Sequence, residues 1–245
     1  IYAQYILATY PDAKIGVLYQ NDDFGKDYLI GLKEGLGENA SKLIVAEVPF
    51  EVSAPTIDSQ IVQIKAANPA VFINIGTPKF VAQSIKKVGE LNWKVVQIIP
   101  QVSTTIGGVI KPAGFENAQG VLSAYYLKDA TDPKWKNDQG MIEWNAFMDK
   151  YLPDADRADS LYIYGYAVTQ IMAQVLKQCG DDLTRENVMK QAASLDMDVN
   201  MLLPGIRVKT SASDYRPIEQ LQMMRFSKDQ WELFGPILSS ENKPM

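Results

Sequence analysis

Residues 1–125 alternate between short apolar runs and longer stretches in which apolar residues recur every three or four positions. The short runs predict strands buried on both faces, and the longer stretches predict amphipathic helices. Strand and helix repeat roughly every 28 residues, which is typical of a doubly wound, parallel α/β sheet. The predicted strands are 14–19, 43–50, 70–75 and 94–99, and the predicted helices are 1–10, 25–37, 57–64 and 80–88.

The pattern changes near residue 120, where the chain becomes mainly helical. The elements predicted here are a strand at 120–126, helices at 139–151, 160–178 and 184–195, a short strand at 206–209, and a hairpin formed by 217–226 and 230–234. These helices carry apolar stripes that need a surface to cover. The sequence supplies only one short strand among them, so we expect that part of this region's sheet is missing.

Residues 20–25 connect the first predicted strand to the next helix. Asp22 or Asp23 is suited to accept backbone N–H bonds at the start of that helix. Ligands of wound sheets bind beyond the carboxyl ends of the strands. Phe24 therefore either faces a ligand or belongs to the core of an ordinary turn. The loops 76–78 and 101–103 follow later strands and are expected at the same edge.

Composition excludes several classes of protein. The chain has no histidine, so it lacks the commonest general base and transition-metal ligand. Its one cysteine, Cys179, cannot form an internal disulfide. A formal net charge of −5 without a basic run argues against a nucleic-acid partner. No apolar stretch approaches the roughly 20 residues of a membrane span. We expect a soluble globular protein with no cofactor and no metal.

Four short motifs occur in a fixed order: Asn-Asp-Asp-Phe-Gly at 21–25, Gly-Thr-Pro at 76–78, Pro-Gln-Val-Ser at 100–103 and Leu-Leu-Pro-Gly-Ile at 202–206. Together they resemble the type I periplasmic binding proteins. Within that group the chain looks most like the branched-chain amino-acid family of ABC-transporter substrate-binding proteins. The resemblance extends over almost the whole chain. It implies two lobes that close on a ligand by hinge motion.

The resemblance also implies a division of the chain. Residues 1–126 would form lobe 2, residues 127–216 the helical remainder of lobe 1, and residues 217–245 a hairpin that returns to lobe 2. Family members carry a further N-terminal segment that forms the sheet of lobe 1. We therefore expect lobe 1 to be incomplete here. Residues 139–195 would be covered by the missing N-terminal segment or by another chain.

Function and site residues follow from the same resemblance. It implies a small-molecule ligand, a membrane ABC permease as partner, and a periplasmic location, or an extracellular, membrane-anchored one in a Gram-positive source. Phe24 lies where the family places an aromatic ring against the ligand, and Tyr162 and Tyr164 open a helix that often carries one. The alternative for the two tyrosines is a buried helix face. The implied ligand-binding residues are Phe24, Thr77, Pro78, Gln101, Ser103, Tyr162 and Tyr164.

Gln101 gives an indication of ligand charge. Amino-acid-binding members of the family often have Glu at this position, placed to meet the ligand's ammonium group. A neutral amide cannot compensate that charge in a closed cleft. An aromatic or aliphatic carboxylic acid is then a better ligand than a free amino acid. Asp22 is an alternative source of the missing charge, so the predicted ligand class is a small carboxylate-bearing molecule.

Two other functions remain open on the sequence alone. The chain could be the ligand-sensing domain of a receptor or regulator, because such proteins share this fold. It could also be a metal-assisted enzyme that uses Asp22 or Asp23. The missing histidines weigh against the enzyme, and the absence of a helix-turn-helix weighs against a repressor. We expect a binding protein without catalytic activity.

Overall fold

A computed structural model describes residues 1–240 of the chain. These residues belong to the mixed α/β class that the sequence predicts. They divide into two compact units. The first contains Ile1–Tyr125 and Gln222–Leu238, and the second contains Tyr126–Leu221. The last five residues of the predicted C-terminal region, 241–245, lie outside the described part of the chain.

The strands and helices follow the predicted order. The strands of the described chain are β1 (Ile15–Gln20), β2 (Ile44–Phe50), β3 (Val71–Ile75), β4 (Val96–Ile98), β5 (Leu122–Tyr125), β6 (Asp196–Met197), β7 (Val208–Lys209), β8 (Gln220–Ser227) and β9 (Gln230–Ser239). Its α-helices are α1 (Tyr2–Thr9), α2 (Asp23–Leu36), α3 (Ala40–Leu43), α4 (Asp58–Ala66), α5 (Pro78–Glu90), α6 (Lys111–Ala113), α7 (Phe115–Ala118), α8 (Gln139–Tyr151), α9 (Ser160–Cys179) and α10 (Arg185–Ala192). Short 3-10 turns and a π-helix at Ile106–Ile110 complete the list.

The first unit is built on a seven-stranded sheet with the order β2-β1-β3-β4-β5-β8-β9. Strands β1 to β5 pair in parallel, and β8 joins β5 antiparallel. The chain runs outward from β1 to β2 and then returns to β3 on the other side of β1. The strand order therefore reverses between β1 and β3, as in other doubly wound sheets. The predicted wound parallel sheet is confirmed.

Helices cover both faces of this sheet at its centre, because strands β1 and β3 are buried along almost their whole length. Leu18 and Phe72 pack against Ile57, Ile61 and Phe80 of the segments that contain α4 and α5. On α2, three leucines spaced for one face are buried, and this helix packs on β1 and β3. Gly16 permits the close approach of α4 to β1, because a Cβ at this position would lie 2.4 Å from the Cγ2 atom of Ile64.

The C-terminal hairpin of β8 and β9 belongs to the same sheet. Met223, Met224 and Phe226 of β8 are buried. The indole nitrogen of Trp231 in β9 donates a hydrogen bond to the carbonyl oxygen of Thr104 at 2.8 Å. The second strand extends to Ser239, beyond the predicted end at residue 234.

The second unit is mainly helical. Its helices α8, α9 and α10 accompany a sheet of only two strands, β6 and β7, which have two residues each. The sequence did not predict β6, and the strand predicted at 206–209 is shorter than expected. Two residues are too few to show a strand period. The buried apolar residues of α8 and α9 are Met141, Trp144, Met148, Ile163, Ala167, Val175 and Cys179.

A second set of apolar side chains on α9 faces solvent. Its members lie three or four residues apart, so they form a continuous line along the helix. They are Leu161 (61% exposed), Tyr164 (47%), Val168 (44%), Met172 (44%) and Leu176 (41%). We call this set the α9 stripe. The neighbouring helices add exposed apolar residues, including Phe147 and Met189.

Candidate functional site

Hydrogen bonds join the loops that follow β1, β3 and β4 in the first unit. The hydroxyl of Ser103 donates to the carbonyl oxygen of Gly76 at 2.8 Å. The hydroxyl of Thr77 donates to the side-chain oxygen of Gln20 at 2.9 Å. The loops 20–25, 76–78 and 101–103 therefore lie together beyond the carboxyl ends of these strands.

Asp22 fixes the first of these loops by capping helix α2. Its Oδ1 atom accepts a hydrogen bond from the backbone nitrogen of Gly25 at 3.1 Å, and its Oδ2 atom accepts one from the side-chain nitrogen of Gln20 at 2.5 Å. The bond from Gln20 is the main reason that the pKa of Asp22 is lowered, followed by the bond from Gly25. The sequence did not distinguish Asp22 from Asp23 as the N-cap of this helix, and the structure shows that the cap is Asp22.

Gly25 is required because the helix begins directly over the end of β1. A Cβ at this position would lie 1.9 Å from the carbonyl oxygen of Gln20. Such a contact is with backbone, which cannot rotate away as a flexible side chain can. The glycine of the Asn-Asp-Asp-Phe-Gly motif therefore lets the first turn of α2 approach the strand.

Phe24 lies in this first turn and is partly exposed. Its ring centroid is 5.1 Å from that of Tyr28, with the two planes tilted by 57°. The ring is therefore supported on one side and is not enclosed by the core. This placement differs from the ordinary-turn alternative, in which Phe24 would be fully buried.

Thr77 and Pro78 start helix α5. Thr77 precedes the helix, and both its hydroxyl and its backbone nitrogen are directed at the Gln20 oxygen, at 2.9 Å and 3.4 Å. Pro78 is exposed at the first helical position, where its missing N–H leaves no bond unmade. The Thr77 hydroxyl retains lone pairs that can accept a further hydrogen bond.

Gln101 and Ser103 begin and end a 3-10 turn after β4. Gln101 is partly buried, and its side-chain amide makes no hydrogen bond to any residue in the range 1–240. Ser103 is 0% exposed, and its hydroxyl is committed to Gly76. Gln101 is therefore available to an external group, whereas Ser103 joins two loops from behind.

Gln20 is the residue at this edge that the sequence analysis did not single out. It is 4% exposed and contacts two of the three loops through opposite ends of one amide. The signal was present in the sequence, because a polar residue ends an otherwise apolar strand. A buried amide of this kind must find hydrogen-bond partners close to the end of its strand.

Tyr162 and Tyr164 belong to the second unit, near the start of α9. Asp159 caps this helix and accepts a hydrogen bond from the backbone nitrogen of Leu161 at 3.0 Å. Tyr162 is partly buried, Ile163 is 1% exposed, and Tyr164 is 47% exposed. The buried helix face thus contains Ile163, while Tyr164 is part of the α9 stripe.

No three Asp, Glu or Cys side chains within residues 1–240 lie close enough together to hold a metal ion. In the same part of the chain, no helix has both the length and the apolar character needed to cross a bilayer.

Comparison with known proteins places the chain in a family. A family model described as periplasmic binding protein matches residues 2–230. No curated protein sequence matches the chain. Its structure is similar to that of a branched-chain amino acid ABC transporter from Thermus thermophilus with bound valine, with a TM-score of 0.78, 16% identity, and coverage of 97% of this chain and 63% of that chain.

Two further solved structures show the same fold. One is a substrate-binding periplasmic protein from Ralstonia solanacearum, with a TM-score of 0.75 and 19% identity over 95% of this chain and 65% of that chain. The other is a leucine-binding protein from Thermotoga maritima, with a TM-score of 0.69 and 14% identity over 98% and 65%. The chain thus spans less than two thirds of the length of these solved proteins.

Proposed function

Because the chain belongs to the periplasmic binding protein family, we propose that it forms part of an extracytoplasmic solute-binding component of an ABC importer. It binds a small carboxylate-bearing molecule reversibly and catalyses no reaction. In this proposal it works in the periplasm, or outside the membrane and anchored to it in a Gram-positive source. Its protein partner is the membrane permease of the importer.

The observation that carries this proposal is the set of three joined loops at one edge of the first unit's sheet. In doubly wound sheets, ligands bind beyond the carboxyl ends of the strands, where the strand order reverses. Here the order reverses between β1 and β3, and the loops 20–25 and 76–78 follow these two strands. A partly exposed ring and an unpaired amide at such an edge suit a small organic ligand.

We propose separate roles for the residues at this edge. Phe24 packs its ring against the ligand, Thr77 accepts a hydrogen bond, and Gln101 donates or accepts one. Pro78 borders the site. Ser103 contributes by holding the carbonyl oxygen of Gly76, because its own hydroxyl is buried.

Tyr162 and Tyr164 are the proposed contribution of the second unit. Tyr164 is the better candidate for a direct contact, since nearly half of its side chain is exposed. Tyr162 is partly buried beside it on the same helix. These two assignments rest on the family resemblance.

The neutral Gln101 favours an aromatic or aliphatic carboxylic acid over a free amino acid. An ammonium group without a compensating charge is costly in a closed cleft. Asp22 is the nearby acid that could supply this charge. Its two oxygens already accept hydrogen bonds from Gly25 and Gln20, so it is held in the loop and less free to follow a ligand.

A thermal-shift panel on the complete protein tests both the binding function and the ligand class. The compounds are L-leucine, L-valine, 4-methyl-2-oxopentanoate and 4-hydroxybenzoate. A compound present at a hundred times its Kd stabilises the folded state by about 2.7 kcal/mol, which gives a clear shift. We expect the two acids without an ammonium group to give the larger shifts. Stabilisation by the amino acids alone would contradict the charge argument.

Phe24→Ala tests the site itself. Loss of a packed ring is expected to weaken binding by about 1–3 kcal/mol, measured by titration calorimetry with the best compound of the panel. Ile30→Ala is the matched control, because Ile30 is 53% exposed on the same helix. It should leave the affinity unchanged. Equal affinities for wild type and Phe24→Ala would show that Phe24 does not contact the ligand.

We further propose that another polypeptide segment covers residues 139–195. Helix α9 is apolar on two sides, with Ile163, Ala167 and Val175 buried and the α9 stripe exposed. Helices that are apolar around most of their circumference are normally enclosed. The solved relatives are longer than this chain, and we propose that a further N-terminal segment supplies the cover. A separate chain is the alternative.

The rate of methionine oxidation shows whether residues 139–195 are covered. Met172 is 44% exposed and should react rapidly with peroxide in the 245-residue chain, whereas Met141 is 3% exposed and serves as the protected reference. In the product of the complete reading frame, we expect Met172 to be as protected as Met141. Rapid oxidation of Met172 in the complete protein alone, with protection only when the permease is added, would favour a separate chain.

A further inference from the structure

Gln20 lies between two of the proposed ligand loops. It is the last residue of β1, and its backbone pairs with Phe50 at the end of β2. Gln20 is 4% exposed, so its amide has little access to bulk water. A buried amide without partners would destabilise the fold, and here both ends are satisfied by other residues.

The two ends of the amide contact different loops. The nitrogen Nε2 donates to Oδ2 of Asp22 at 2.5 Å, which belongs to the loop that carries Phe24. The oxygen Oε1 accepts from the hydroxyl of Thr77 at 2.9 Å and from its backbone nitrogen at 3.4 Å. One amide thus connects the cap of α2 to the residue before α5.

The connection requires both a donor and an acceptor in one side chain of this length. Asp22 is an acceptor, because its lowered pKa keeps it ionised. Thr77 offers two donors. Among uncharged side chains of this shape, glutamine supplies the matching pair, whereas a carboxylate lacks the donor and an aliphatic side chain lacks both.

We infer that Gln20 is a positioning residue that couples the loop 20–25 to the loop 76–78 at the point where the strand order reverses. Through Asp22 and Thr77 it fixes the separation between the Phe24 ring and the Thr77 hydroxyl. This inference rests on the proposed function for its effect on binding. The coupling between the loops can also be measured without any ligand.

The variant that tests this inference is Gln20→Glu, which preserves size and shape. At pH 7.5 the introduced carboxylate would face the Asp22 carboxylate, and the donor would be lost. At pH 5 the introduced group, whose pKa is raised by this like charge, can be protonated and can again donate to Asp22. The other charged side chains near this point are Asp23 and Lys26 in the first turn of α2, Lys79 in the first turn of α5 and Glu51 directly after β2. They are present in wild type, which is therefore the control at each pH.

The first readout is amide hydrogen exchange at Gly25 and Thr77 in the ligand-free protein. We expect both amides to exchange at least about 10-fold faster in Gln20→Glu than in wild type at pH 7.5, after correction for intrinsic rates. Protection should return toward wild type at pH 5. In Gln20→Leu the same two amides should exchange rapidly at both pH 7.5 and pH 5, because the leucine side chain can form neither hydrogen bond.

The second readout is the affinity for whichever of the four panel compounds shifts wild type most. Gln20→Glu should bind it about 10-fold more weakly at pH 7.5 and recover at pH 5, relative to wild type at the same pH. If no panel compound binds wild type, the proposed ligand class fails while the exchange data still decide the coupling. Unchanged protection at pH 7.5, or a loss that persists at pH 5 in a folded variant, would overturn the inference.

Discussion

The two units use amphipathic helices in opposite ways. In the first unit, α2, α4 and α5 place their apolar faces on a seven-stranded sheet, and residues such as Phe72 are fully buried. In the second unit, α9 buries one side but leaves the α9 stripe in solvent, beside a sheet with strands of two residues. Similar helices therefore lie in different environments in the two units. What differs is the amount of sheet available to cover them.

The largest expected effect compares the same substitution in both units. Phe72 is 0% exposed and stacks on Trp93 with ring centroids 5.2 Å apart, so Phe72→Ala should cost about 3–5 kcal/mol of the free energy of unfolding. Phe147 is 37% exposed, with Tyr151 and Tyr166 near its ring, so Phe147→Ala should cost about 1 kcal/mol.

Hydrogen exchange at amides of β3 and α8 reports the two units separately, which matters because they need not unfold together. Equal losses in the two variants of the 245-residue chain would contradict the comparison. If the proposed further segment covers residues 139–195, the cost of Phe147→Ala should be higher in a protein that contains that segment.

The second prediction concerns the tight packing at the loop edge of the first unit. Gly25→Ala should cost about 3 kcal/mol, because the added carbon meets the Gln20 backbone and the first turn of α2 must shift. Gly31→Ala in the same helix is the control. A Cβ at Gly31 meets nothing within 4 Å, so that variant should gain about 0.5–1 kcal/mol from lower unfolded-chain entropy. Urea denaturation measures both, and a neutral Gly25→Ala would show that the loop is looser than its geometry implies.

The second unit, whose described sheet has only two short strands, contains an ion pair that is largely buried. Lys128 is 6% exposed, and its ammonium group donates to Asp138 and to the carbonyl oxygen of Asn200, both at 2.7 Å. Asp138→Asn should cost about 2 kcal/mol at pH 7, because it removes the charge that pairs with a buried cation but keeps a good helix cap. Asp159→Asn, at the capped start of α9, should cost less than about 0.5 kcal/mol.

The stabilisation that Asp138 contributes is expected to decrease at low pH. Burial acts to raise the pKa of Asp138, but hydrogen bonds from Lys128 and from the Met141 amide outweigh it, so the pKa is lowered. Its contribution is therefore complete above the unfolded value of about 3.9 and is lost as the pH falls through the folded value. The difference between wild type and Asp138→Asn should shrink below about pH 4 in acid titrations of α8 stability. A difference that stays constant to pH 2 would exclude the ion pair as its source.

The sequence predicted the parts of the fold that repeat. Strands β1 to β4 were visible because each is a short apolar run, and the first three are followed by a periodic helix. A cap at Asp22 or Asp23 was visible as turn chemistry, although the choice between the two needed coordinates. The exposed stripe of the second unit was anticipated from the lack of strands near α8 to α10.

Other features depend on contacts between residues far apart in the chain. Gln20 could be noticed only as a polar residue at a strand end, and its link to Thr77 spans 57 positions. Ser103 was predicted from its loop, but its hydrogen bond joins it to Gly76 in the loop after another strand. The pairing of β6 with β7 leaves no periodic signal in two residues. The roles of Phe24, Gln101 and the two tyrosines in binding remain predictions.

The bonds from Ser103 to Gly76, and from Thr77 through Gln20 to Asp22, also affect the entropy of association. Ordering a mobile side chain on binding costs about 0.5–1.5 kcal/mol. For the side chains that form these bonds, that loss of freedom occurs during folding, before any ligand arrives. A molecule that reaches this edge therefore meets a preorganised surface. Its binding entropy should reflect displaced water and lost ligand motion more than any freezing of the protein chain.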